Sequence, residues 1–202
     1  MPSASAAPFP LDRSTAHLCI DMQRLFAEPS PWAVDWLPRV LPNVSAIARR
    51  HPERTIFTRF IPPAQPDEMT GAWRDYYRQW REVTREQLEP RLLELVPPLA
   101  ELSPPAITLD KQLYSAFANT RLAQGLAKRG ITTLVVTGGE TDVCVLATVM
   151  AAVDRGLRVV LPTDALCSAH DKTHDALLTL YRERFSLQIQ TTCTERVIEE
   201  WD

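Results

Sequence analysis

Three residues far apart in the chain are of types that together make covalent catalysis feasible: Asp21, Lys111 and Cys144. A thiol needs a base to ionise it, a carboxylate can be that base, and an ammonium beside both favours their charged forms. Cys144 has the most telling context. It follows the β-branched apolar run 131–136 (ITTLVV) and the pair Gly138-Gly139, and it opens a stretch, 143–153, in which nearly every residue is apolar or small. The pattern predicts a strand, a glycine turn and a buried helix, with Thr141 as N-cap and Gly156 as C-terminal cap. A thiol in the first turn feels the positive end of the helix dipole and can have its pKa lowered. The turn leaves backbone N–H groups free, the material of an oxyanion hole. Taken alone, Cys144 reads more readily as a structural cysteine, because free Cys is among the most buried residue types.

The elements that must position these groups change that balance. Strands are predicted at 16–21, 54–60, 106–110, 131–136, 157–161 and 185–190. Helices are predicted at 36–50 (with Pro42 awkward inside it), 71–86, 119–129 closed by Gly130, 172–184, and from after the last strand to about 200. A weaker helical piece covers 88–96, ended by Pro97 and Pro98. Alternating strands and helices give a mostly parallel sheet between two helical layers, a three-layer α/β/α fold of Rossmann-like kind. Reactive groups in such sheets lie beyond the C-terminal strand ends. The first strand ends in Asp21, the third at Lys111, and the fourth runs into Cys144. An acid, an ammonium and a thiol arriving at one edge favour catalysis over a structural cysteine.

Composition bounds the partners. The net charge of −3 comes with no basic stripe, which argues against nucleic acid. No apolar run approaches the ~20 residues that span a bilayer, so no membrane partner is expected. The start, MPSASAAPFPLDRS, lacks a basic segment followed by a long apolar run and does not read as a secretion signal. Residues 1–15 are read as a flexible lead-in and 16–202 as a single domain. Four scattered cysteines without a CxxC pair suit a cytoplasmic chain with free thiols.

The stretches IDMQ (20–23), DKQLYSAF (110–117), GGETDVCVLATVMAAVDRG (138–156) and LPTDALCSAHDKTHDALL (161–178) resemble the isochorismatase-like family of cysteine hydrolases. The resemblance runs from about residue 16 to the C-terminus. It implies a six-stranded sheet, an Asp-Lys-Cys triad mapping onto Asp21, Lys111 and Cys144, and a homo-oligomer, dimer or tetramer. It also implies a cis bond between Gly139 and Glu140, with the N–H groups of Glu140 and Cys144 as oxyanion hole. Family members hydrolyse small amides and carbamoyl compounds through a thioester. One branch cleaves the vinyl ether of isochorismate and can lack the cysteine, and a non-catalytic binding member is a further alternative. Metal-binding members carry Asp-x-His after the second strand, where this chain has Arg59-Phe60-Ile61-Pro62. No metal and no cofactor is therefore expected.

Around the triad, Phe26, Trp32, Phe60, Trp73, Tyr114 and Phe117 fall in or near loops above the sheet and are candidates for a substrate wall. Trp73, Tyr77 and Trp80 have helical spacing and read as core or interface. Arg24, Arg59 and Arg74 are candidates to hold a substrate carboxylate, against the plainer reading of solvated charges. His17, His51, His170 and His174 offer no ligand set, although His170 and His174 lie four apart. Cys19 reads as core, and Cys167 and Cys193 carry no catalytic signature.

Overall fold

The continuous apolar strands predicted from the sequence form the centre of the molecule, which is described by a computed structural model covering residues 9–202. Most of the expected lead-in, residues 1–8, lies outside the described residues. The strands are β1 (Thr15–Ile20), β2 (Thr55–Phe60), β3 (Ile107–Lys111), β4 (Thr133–Gly139), β5 (Arg158–Pro162), β6 (Leu166–Cys167) and β7 (Ile189–Thr192). Every pairing is parallel, in the order β3-β2-β1-β4-β5-β7, and the two-residue β6 adds to the end of β4 at Gly138 and Gly139. The sheet thus has six principal strands plus this short seventh.

Helices cover both faces because alternate residues of the central strands point to opposite cores. Leu18, Ile20, Leu134 and Val136 belong to one apolar cluster, while Cys19 and Val135 belong to the other. This is why β1 and β4 read as unbroken apolar runs rather than as alternating ones. The second cluster is closed by α1 (Leu37–Arg50), through Val40, Val44 and Ile47, and by Val197 of α6 (Thr194–Glu200). The first is closed by Tyr77 of α2 (Ala72–Gln79), Leu122 and Leu126 of α3 (Leu122–Lys128), Val149 and Ala152 of α4 (Leu146–Val153), and Leu178 and Tyr181 of α5 (Asp171–Arg184).

Four local expectations are corrected. Pro42 lies inside α1 without ending it; the residue is exposed, where water can take the carbonyl it leaves free. The 71–86 helix stops at Gln79 and is followed by a separate turn, Arg81–Val83. Pro97 and Pro98 open a helical turn, Pro97–Ala100, rather than ending one, consistent with proline's fitness for the first helical position. The last strand begins at Ile189, not Phe185, because Phe185 N–H still bonds back to Tyr181 at the end of α5.

The chain leaves β1 toward β2 and β3, then returns to place β4 on the other side of β1. Connections diverge between β1 and β4, so a crevice opens at their C-terminal ends. Asp21 follows β1, and the turn carrying Cys144 follows β4.

Candidate active site

Each reactive side chain is fixed by its own element. Asp21 takes a left-handed backbone conformation (φ 49°) as the chain leaves β1. Its N–H donates to Thr58 Oγ1 at 3.1 Å, and that hydroxyl donates to Asp21 Oδ1 at 2.5 Å. Lys111 ends β3 and is almost wholly buried. Its Nζ lies 2.6 Å from Asp21 Oδ2, donates to Cys144 Sγ at 3.4 Å and to the Leu113 carbonyl at 3.2 Å, and stands 4.8 Å from the Phe60 ring centre. Gln23 bridges the neighbouring loops: its amide donates to the Phe60 and Leu93 carbonyls, and its oxygen accepts from Phe60 N–H.

Cys144 sits inside a π-helical turn, Thr141–Val145, which leads into α4. Such turns recur at functional sites. Thr141 is the first residue of this turn rather than its cap, and its hydroxyl donates to the Cys167 carbonyl. His174 Nδ1 meets the same hydroxyl at 2.9 Å, which makes His174 a polar contact of the turn. Gly156 does close α4 (φ +76°): its N–H bonds to Val153 and that of Leu157 to Ala152, the double bond of a glycine C-cap. The Gly139–Glu140 bond is cis.

Any lowering by the helix dipole is outweighed at Cys144. Burial pushes the Cys144 thiol up; Lys111 opposes this and Asp21 adds to it. Burial also works against the Lys111 ammonium, but Asp21 and Cys144 more than offset it, and the net direction is up. The site is therefore a buried ion pair with a thiol against it that burial holds toward its protonated form.

A cavity of ≈140 Å³ opens over Cys144, lined by Phe26, Trp32, Phe60, Tyr76, Tyr114, Gly139, Glu140, Val143 and Cys144. Four of the six expected aromatic residues are in its wall. Trp73 is not: it packs behind the wall, 4.7 Å from Tyr114 and 5.6 Å from Tyr76 between ring centres. Phe117 is buried, with the Arg155 guanidinium over its ring. Tyr76 was missed because its neighbours Trp73, Tyr77 and Trp80 set the helical stripe; Thr58 and Gln23 were missed because neither has a catalytic side chain. The three candidate arginines do not line the cavity. Arg24 pairs with Glu28, Arg59 with Asp110, and Arg74 Nε donates to the Met69 carbonyl. A larger cavity, ≈410 Å³, lies at the opposite ends of the strands among Ala16, Ile56 and Ile107 and contains no nucleophile or carboxylate.

The residues at the end of β2 do not fit a metal: Arg59 is held by Asp110, and Phe60 lines the cavity. Among the described residues no group of three or more His, Cys, Asp or Glu side chains could hold one.

Comparison with known proteins gives the family. Residues 15–193 match the model of the Isochorismatase domain, so the chain belongs to the isochorismatase family and stands among hydrolases by fold and family. It is similar to a cysteine hydrolase from Pseudomonas syringae pv. phaseolicola, with 26% identity, 96% of this chain and 97% of that one covered, and a TM-score of 0.80. It shares its fold with N-carbamoylsarcosine amidase from Thermoplasma acidophilum, at 18% identity, TM-score 0.72, and coverage of 90% and 96%. Over 70 residues it is 37% identical to nicotinamidase 3 of Arabidopsis thaliana, 35% of each chain. The matched stretch thus spans about a third of that curated relative's length.

Proposed function

We propose that the protein is a metal-independent cysteine amidohydrolase acting on a small amide or carbamoyl compound through a thioester. The observation that carries this is the contact of Lys111 with both Asp21 (2.6 Å) and Cys144 (3.4 Å), the last of which lines an aromatic cavity. Asp21 takes the thiol proton as the sulfur attacks the substrate carbonyl. The negative charge moves from carboxylate to sulfur while Lys111 stays beside both. No uncompensated charge is created in the interior, where it would be most costly. The N–H groups of Glu140 and Cys144 hold the developing oxyanion. Asp21 then returns the proton to the leaving nitrogen, and water hydrolyses the thioester.

Support comes from the nicotinamidase and amidase names carried by the similar proteins. A vinyl ether gives a thiol no carbon to attack usefully, which disfavours isochorismate cleavage. The assembly belongs to the same proposal as a homo-oligomer, dimer or tetramer, in the cytoplasm. Among the described residues no helix is long and apolar enough to cross a membrane.

The test is mass spectrometry of enzyme mixed with candidate amides and ureides and quenched early. An acyl adduct on the peptide containing Cys144 is expected. Isochorismate cleavage by a Cys144→Ala variant, with no amide turned over by the parent, would overturn the reading.

A further inference from the structure

The cavity over Cys144 has an unusual charge balance. Asp21 and Lys111 pair at 2.6 Å, and burial pushes the Cys144 thiol toward its uncharged form. Among the described residues Lys111 is the one cation acting on the sulfur, and no lysine or arginine lines the wall. One acid remains, Glu140, half-buried in that wall. Its Oε2 accepts the Ala169 N–H at 2.8 Å, and the basic neighbour acting on its charge is His170, an exposed imidazole. Glu140 shares that wall with Tyr76 and Tyr114, and burial first, with its charge a lesser cause, holds both phenols up.

Five aromatic residues share the wall with it, Phe26, Trp32, Phe60, Tyr76 and Tyr114, of which Phe60 already has the Lys111 ammonium over its ring at 4.8 Å, leaving four rings for a ligand. Trp32 is at their centre, 6.3 Å from Phe26, 5.9 Å from Phe60 and 6.0 Å from Tyr76 between ring centres. Ring faces carry negative potential and attract cations, Trp most strongly, and desolvated cages of rings with an acid favour alkylated ammonium groups. An anionic group entering here would meet Glu140 and the ring faces with no arginine to receive it.

We propose that the substrate's non-reacting end is a cation, an alkylated ammonium group seated among these rings against Glu140, with the amide carbonyl directed to Cys144. This names the substrate class within the amide reading and rests on that reading for the carbonyl alone. It also explains why Arg24, Arg59 and Arg74 are committed to partners outside the cavity. Burial already disfavours the Glu140 carboxylate, moving its pKa up, so a bound cation would relieve a cost that the free site carries.

The test compares trimethylammonio-acetamide with 3,3-dimethylbutanamide, identical in shape with carbon in place of the charged nitrogen. The expected result is a kcat/KM about tenfold higher for the cation, the range of a desolvated cation–π contact. Glu140→Gln should bring the ratio toward one. If both amides are hydrolysed and the neutral one is equal or better, the cation proposal is overturned while amide hydrolysis stands. If neither is hydrolysed, calorimetry of the same two molecules decides. Binding of the cation about tenfold tighter than its isostere, lost in Glu140→Gln, sustains the cation site although these two amides are not substrates. Equal binding, or no binding of the cation, overturns it.

Discussion

At the scale of single residues, the reaction proposed here depends on a thiol that rests protonated. Burial holds Cys144 up, so the free enzyme should be slow to alkylate at neutral pH. Cys19 and Cys167 are also buried and pushed up, Cys167 to about 12, whereas Cys193 is partly exposed. Iodoacetamide at pH 7 followed by peptide mapping should therefore label Cys193 first; rapid, selective labelling of Cys144 would show that a thiolate is already present. Cys144→Ala should reduce turnover by several orders of magnitude while the protein stays folded. The residue types were legible because strand ends bring them together, and a sequence shows strand ends. The direction of the thiol's pKa was not, since the dipole of one turn is local while desolvation is set by everything packed above it. Thr58 was also illegible, a hydroxyl in an ordinary strand that turns out to support Asp21 on both sides. Thr58→Val should cost about 1–3 kcal/mol in a urea titration, the usual range for a buried group left unpaired. It should lower kcat as well; normal kcat would mean that Asp21 needs no such support.

At the scale of elements, the glycine pair at the end of β4 sets how closely the two halves of the site approach. Gly138 pairs with Ile20 and has φ +98°; a Cβ there would stand 2.1 Å from the Ile20 carbonyl oxygen. Backbone cannot yield that much without parting β1 from β4, and hence Asp21 from Cys144. At Gly139 the obstacle is a side chain: a Cβ would lie 2.8 Å from Cys167 Sγ. The two positions should behave differently. Gly138→Ala is expected not to accumulate as folded protein. Gly139→Ala should be destabilised by about 1–3 kcal/mol, the cost of overpacking, and Cys167→Ala in the same chain should restore part of it. Strictly additive losses in the double variant would refute the steric account. From the sequence the glycines read as punctuation, ending a strand. Their tighter reason, the added two-residue β6 pressing Cys167 against Gly139, was hidden because a strand of two residues has no periodicity to detect. The weaker helical piece read over 88–96 is a single short 3₁₀ turn, Pro90–Leu93, opened by its own proline.

At the scale of the whole molecule, the sheet order makes a histidine serve as core. His17 is fully buried in β1, with Nε2 2.8 Å from Thr137 Oγ1 and Nδ1 3.3 Å from Thr55 Oγ1 on the flanking strands. The sequence marked it only as lacking metal partners; that it lies in the middle of the sheet follows from strand order, which local patterns do not give. Burial lowers its pKa from the usual 6.5 to about 3. The unfolded chain takes up a proton on this ring below pH 6.5, while the native ring stays neutral until about pH 3. The unfolded state thus binds more protons throughout that window, and native stability must fall as pH drops through it. The slope from this one group approaches about 1.4 kcal/mol per pH unit, and above pH 6.5 the contribution to pH dependence vanishes. Imidazole NMR shifts should show a His17 ring that does not titrate between pH 7 and 4.5, while urea unfolding free energies decline over the same range. His17→Gln, wherever it folds, should flatten that decline. A ring that titrates near its ordinary value in the native protein would mean that water reaches the centre of the sheet, contrary to the packing of β1 between β2 and β4.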